Sequence, residues 1–123
     1  MGNARILSLL PLLFALTLTL VLPTKARADW REEQYKITYL LNVVRSSDLV
    51  FIRNGVEYPG KTAEAFLEKK MAMVGMRVHT AEDFIHYVAS SSSTTETPYY
   101  VRFADGTQIE AGLWLQGQLD EMK

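Results

Sequence analysis

The sequence predicts a small α+β domain, an antiparallel sheet of three to four short strands packed against three to four helices. Three observations predict it. Apolar residues recur at helical spacing in three separate stretches. An Asn54-Gly55 pair sits between two runs of strand formers. Tyr99–Phe103 alternates strictly, with Tyr99, Val101 and Phe103 on one face and Tyr100 and Arg102 on the other. Packing several helical stripes onto one sheet face buries all of them in a single core.

The start of the chain is read separately. Met1–Arg5 is basic, Ile6–Leu22 is mostly apolar, Pro23 interrupts the run, and Ala26-Arg27-Ala28 places small residues where a signal peptidase reads. This predicts a signal peptide over residues 1–28 and a single domain over residues 29–123. The alternative is an uncleaved N-terminal anchor in the inner membrane, because Lys25, Arg27 and Arg31 follow the apolar run. In the first case the protein is periplasmic and keeps no membrane span after cleavage.

In the mature segment, Trp30–Ser46 is predicted helical, with Trp30, Ile37, Leu40, Leu41 and Val44 as its stripe. Leu49–Ile52 and Val56–Tyr58 form a hairpin about Asn54-Gly55, since both central residues of a type I′ turn need positive φ. A two-residue loop pairs Arg53 with Val56, Ile52 with Glu57 and Phe51 with Tyr58. Pro59-Gly60 ends the ladder. Lys61–Arg77 is the second helix, with Ala63, Leu67, Met71, Val74 and Val78 recurring and Phe66 beside them. Thr80 opens a third helix as a hydroxyl cap, and Asp83 returns the bond as in a capping box. Ser90–Thr97 is a loop, Thr107–Ile109 a short edge strand and Gly112–Met122 a last helix. The order is α-β-β-α-α-β-(β)-α.

Composition excludes several functions. There is no Cys, which removes disulfides, thiolate metal sites and lipid attachment through an N-terminal Cys. The mature segment carries 10 basic and 14 acidic residues, and no basic run exceeds Lys69-Lys70, so it has no clustered positive face for nucleic acid. No Gly-rich phosphate loop is present. The sequence implies neither a cofactor nor a metal.

From Phe51 to Tyr99 the chain resembles the YfeK-type proteins, small secreted proteins of Gram-negative bacteria grouped as a domain of unknown function. The strings Phe51-Ile52-Arg53-Asn54-Gly55 and Thr80-Ala81-Glu82-Asp83-Phe84-Ile85 carry the resemblance, with Glu57-Tyr58, Arg77, Ala89-Ser90, Ser92-Ser93 and Pro98-Tyr99. It extends over about residues 49–102. Two departures stand out: Phe66 occupies a position where the family often has His, and Glu96 or Thr97 one where it has Gly before the Pro-Tyr pair. The resemblance implies export and a shared fold, with no reaction attached.

The candidate chemistry is sparse. His86 lies three residues after Asp83, and Ser90, Ser92 and Ser93 follow, so a Ser–His–Asp arrangement can be drawn. It lacks a nucleophile elbow and a Gly-rich oxyanion loop. His79, Glu82, Asp83 and His86 lack the two-His spacing of a zinc helix. Arg53 shares strand parity with Phe51 at the sheet end. It can pair with Glu57, cap a helix, or meet an anionic ligand together with Arg102 or Arg77. Ser92 and Ser93 belong to a hydroxyl-rich loop that either binds a ligand or satisfies the carbonyls of the preceding helix. Asn54, Gly55, Thr80 and Asp83 are read as structural. The expected function is an exported, non-catalytic binding or accessory protein whose partner is an envelope protein or small ligand. The alternative is a small periplasmic hydrolase or ligand-binding protein using Arg53, His86 and Ser90–Ser93.

Overall fold

Four helices and one four-stranded antiparallel sheet make up the described chain, an α+β fold, in a computed structural model that describes residues 24–122. The apolar run Ile6–Leu22 lies outside the described residues. Helix α1 (Thr24–Ser46) leads into a hairpin of β1 (Val50–Arg53) and β2 (Val56–Pro59). Helix α2 (Gly60–Val74) follows, closed by a 3-10 turn over Gly75–Arg77. Helix α3 (Ala81–Phe84) widens into a π-helical turn over Ile85–Ala89. Strands β3 (Tyr100–Arg102) and β4 (Gln108–Glu110) and helix α4 (Ala111–Glu121) complete the order. Among the described residues no helix is long and apolar enough to cross a membrane.

The sheet order is β2-β1-β3-β4, every pair antiparallel. The hairpin has the expected register, Arg53 opposite Val56, Ile52 opposite Glu57 and Phe51 opposite Tyr58. Asn54 at φ 50° and Gly55 at φ 77° show why the turn needs this pair, since positive φ is open to Gly and tolerated by Asn. β1 then pairs with β3, placing Phe51 opposite Val101. These two side chains are buried, so one sheet face meets the helices.

The core is the set of helical stripes. Ile37, Leu40 and Val44 of α1, Leu67 of α2, Phe84 and Val88, and Leu115 and Leu119 of α4 converge on Phe51 and Val101. Trp30 departs from its expected place, remaining 47% exposed. It shares a helix face with Ile37, but the body of the protein covers α1 only from about Glu33 onward. The third helix also departs from a regular α-helix. Ser90 donates its hydroxyl to the Ile85 carbonyl at 2.6 Å, meeting the acceptor where the ladder widens.

Gly60 fixes how α2 meets α1. A Cβ there would sit 2.9 Å from the Ser47 carbonyl oxygen and nearer still to that of Val44. The start of α2 therefore lies directly on the backbone at the end of α1, an approach only glycine permits.

Candidate functional site

The two motif strings occupy different parts of the molecule. At Thr80, the hydroxyl accepts from the Asp83 N–H at 3.0 Å, while Asp83 Oδ2 accepts from the N–H groups of Thr80 (3.2 Å) and His79 (3.0 Å). This is a complete capping box. Glu33 of α1 adds an acceptor for the Ala81 N–H at 3.1 Å. Orphan donors at this helix start are thus met by three side chains. His86 is exposed and lies edge-on to Tyr87, centroids 4.6 Å apart. Asp83 is committed to the backbone, and no triad forms with His86.

The other string opens onto a cavity of about 340 Å³. Its floor is apolar, formed by Phe51, Leu67, Ala63, Ala111 and Leu115. Aromatic rings stand on its sides: Phe66 packs edge-on against Tyr58 at 4.9 Å, and Tyr99 lies across from them. The Ser/Thr loop closes one wall with Ser92, Ser93 and Thr94. The loop is itself folded. Ser92 and Glu96 donate their N–H groups to the Thr97 and Ser92 carbonyls, both at 2.9 Å, and Ser91 bridges to Pro98. Thr95 donates its hydroxyl to Asn54 Oδ1 at 2.9 Å, seating the loop on the hairpin turn. Asn54 therefore serves twice, in the turn and as the loop's anchor.

The polar groups of the cavity are all basic or neutral. Arg53, Lys69 and Lys70 border it, and among the described residues no carboxylate does. Arg53 lays its guanidinium over the Phe66 ring, 4.9 Å from the centroid. It does not pair with Glu57, which instead meets Arg102 at 2.5 Å. Strand alternation explains this: Glu57 is opposite Ile52, on the sheet face away from Arg53, and Arg102 is on Glu57's face. Arg102 is therefore separated from the cavity, as are Arg77 and His86, none of which borders it.

Lys70 is the residue that sequence reasoning missed. Its side chain is 8% exposed, donating to the Ser91 carbonyl at 2.5 Å and to the Tyr99 hydroxyl at 3.3 Å. The ammonium also lies 5.0 Å from the Tyr99 ring centroid. Burial, with the Arg53 charge nearby, holds the Lys70 pKa below the ordinary lysine value. Burial raises the Tyr99 phenol, against a smaller opposing effect of Arg53. A signal was available, because Ala63, Leu67, Lys70 and Val74 step by four, three and four. A lysine on that stripe must either snorkel or find partners inside.

Ser92 is buried, and its hydroxyl meets that of Thr94 at 3.2 Å. Ser93 is exposed at the cavity wall. Of the four residues expected to bind a ligand, the fold thus gathers Arg53, Ser92 and Ser93 and leaves Arg102 aside.

The comparisons with known proteins meet this geometry without adding a reaction. The model of a family of unknown function (DUF5329) matches residues 31–123. The chain belongs to that family. An uncharacterized protein, YfeK, of Salmonella typhimurium is 41% identical over 83 residues, covering 67% of this chain and 68% of the relative. No solved structure matches. The family match runs well past residues 49–102, taking in most of α1 and all of α4, the elements that supply Val44 and Leu115 to the cavity.

Proposed function

We propose that this is an exported, periplasmic binding protein that takes a small, largely apolar ligand into the cavity between the β1–β2 hairpin, α2 and the Ser/Thr loop, without transforming it. The cavity carries the reading. Its volume of about 340 Å³ and apolar walls with a few converging polar groups suit a small molecule. Export rests on the leader pattern over residues 1–28 and the cleavage-type Ala26-Arg27-Ala28.

Binding is favoured over hydrolysis because two candidate nucleophiles are engaged elsewhere and the third, Ser93 at the cavity wall, has no histidine beside it among the described residues of the lining. Ser90 donates to Ile85, Ser92 meets Thr94, and His86 stands outside the cavity. A hydrolase needs a nucleophile in hydrogen-bond reach of its base. An accessory role through a flat aromatic patch is less favoured. Tyr58 packs on Phe66, and Trp114 packs edge-on to Phe51 at 5.7 Å.

The experiment uses protein purified from the envelope of expressing cells. Its intact mass should begin at Asp29, and decanol, a neutral apolar probe, should shift the NMR signals of Phe51, Phe66 and Tyr99. Retention of Met1–Ala28 in the membrane would overturn cleavage and establish the N-terminal anchor instead. An unperturbed cavity at saturating decanol would overturn the binding reading.

A further inference from the structure

We propose that the ligand is a single-headed anionic amphiphile, a carboxylate on an apolar tail, whose head is held between Lys70 and Arg53. The inference rests on the cavity as a binding site and goes on to name what enters it.

Two cations face one another at this site without a counter-ion. Lys70 has neutral partners only, the Ser91 carbonyl and the Tyr99 hydroxyl. Arg53 rests on the face of Phe66. Among the described residues neither forms an ion pair with a carboxylate, and none borders the cavity. A buried charge ordinarily sits beside an opposite charge. Among the described residues nothing supplies that opposite charge to Lys70, and a ligand carboxylate would.

The geometry suits a carboxylate. An ammonium has three donors, and two of those of Lys70 are used, which leaves one for a ligand oxygen. The Arg53 guanidinium offers a planar fork that matches a carboxylate. The Phe66 ring, 4.9 Å from the guanidinium carbon, positions that fork at the cavity rim.

The remaining surface suits a tail. Phe51, Leu67, Ala63, Ala111 and Leu115 offer no donor or acceptor from their side chains. A cavity of about 340 Å³ lies at the small end of the range for ligand pockets. This fits a medium-chain acyl group. A neutral molecule would leave both cations unmatched, and a cation would be repelled by them. The wall beneath Arg53 is the apolar ring of Phe66.

Isothermal titration of the envelope-purified protein with decanoate, decanol and decyltrimethylammonium separates charge from apolar burial. Decanoate should bind at least ~10-fold more tightly than decanol, as expected when one charged hydrogen bond distinguishes them. Decyltrimethylammonium should not bind. Lys70→Met and the exposed Arg53→Gln should each weaken decanoate about 10-fold while changing decanol less than about twofold. Arg53→Gln removes an exposed side chain, so it keeps the test valid if Lys70→Met unfolds. Equal affinity for decanoate and decanol would overturn the anionic head and leave the binding site intact. Absence of binding by all three would overturn both.

Discussion

The Thr80–Ile85 segment and the Phe51–Gly55 segment are comparably distinct as sequence strings, yet they close in opposite ways. At Thr80 the polar side chains satisfy the helix start, with Asp83 and Thr80 bonding reciprocally and Glu33 arriving from α1. At Phe51–Gly55 the backbone is satisfied by the hairpin, Asn54 holds the Ser/Thr loop, and among the described residues Arg53 meets only an aromatic face. A structural motif exhausts its polar groups on its own chain. On the proposed function the hairpin segment keeps Arg53 in reserve, over an apolar cavity beside a second cation.

Breaking the scaffold behind the cavity should have the largest effect. Gly60→Ala should destabilise by about 3 kcal/mol, since backbone carbonyls rather than a mobile side chain oppose the new methyl. Chemical denaturation measures it. A loss below ~1 kcal/mol would mean that α1 and α2 separate without penalty. Next comes the turn. Gly55→Val should lower stability by about 1–3 kcal/mol, because a β-branched residue resists φ 77°. It should also loosen the Ser/Thr loop, which Thr95 ties to Asn54. Hydrogen exchange should rise at Ser92 and Glu96; if it does not, the loop is independent of the hairpin.

The capped helix supplies the contrast. Thr80→Ala should lower stability by about 1 kcal/mol, as a lost N-cap does. Glu82→Gln should lower it by less, a few tenths of a kcal/mol. Neither should alter decanol binding. A variant here that kept full stability and lost binding would move Thr80–Ile85 into the functional class and end the comparison.

Most of the fold was legible because local chemistry and global packing agree. The Asn-Gly turn set the hairpin register, and the stripes placed the second and third helices to within a turn, while α1 begins at Thr24, six residues before the expected Trp30. The exceptions share a cause, which is that tertiary neighbours decide them. Trp30 fits its helix stripe but has little of the protein body over it. The π-helical turn depends on Ser90, which packs so closely on Gly112 that a Cβ there would lie 2.6 Å from its hydroxyl. The site was legible in part. Arg53 stood out because no local rule explained it, whereas Arg102 looked equivalent until strand alternation placed it on Glu57's face, away from Arg53. Lys70 was hidden among the charges of Glu68-Lys69-Lys70, since burial of one of three adjacent charged residues depends on what packs above the helix.

The Ser/Thr loop holds a smaller test of the same contrast. Glu96 has φ 59°, the left-handed region that favours glycine. Glu96→Gly should relieve that strain and raise stability by about 0.5 kcal/mol, the strain of about 1–2 kcal/mol being partly offset by the greater freedom of the unfolded glycine. Thermal unfolding reads it. A decrease would mean that the Glu96 side chain, though exposed, contributes more than its backbone strain removes.

Smallest of all is the effect of the second buried charge on α2, and it compares that helix with itself. Lys70 is buried toward the cavity; Glu64 is buried at 7% exposure, away from it. Burial raises the Glu64 pKa, helped by the hydrogen bond and charge of Glu68 one turn on and opposed by Arg45. The folded state therefore keeps a proton at pH values above 4.5 where the unfolded chain has lost it. The stability this contributes is full below the unfolded value and is lost as pH rises through the folded one. At neutral pH the wild type thus carries a penalty that Glu64→Gln removes, so the variant should be more stable by a few tenths of a kcal/mol at pH 7, the scale of a like-charge pair one turn apart. Near pH 4 the two proteins should converge. Denaturation midpoints at both values decide it, and decanoate affinity should not change, because Glu64 is not a wall of the cavity. A variant less stable than wild type at pH 7 would show that Arg45 outweighs burial, and that α2 holds its carboxylate as an ion pair while its lysine has none.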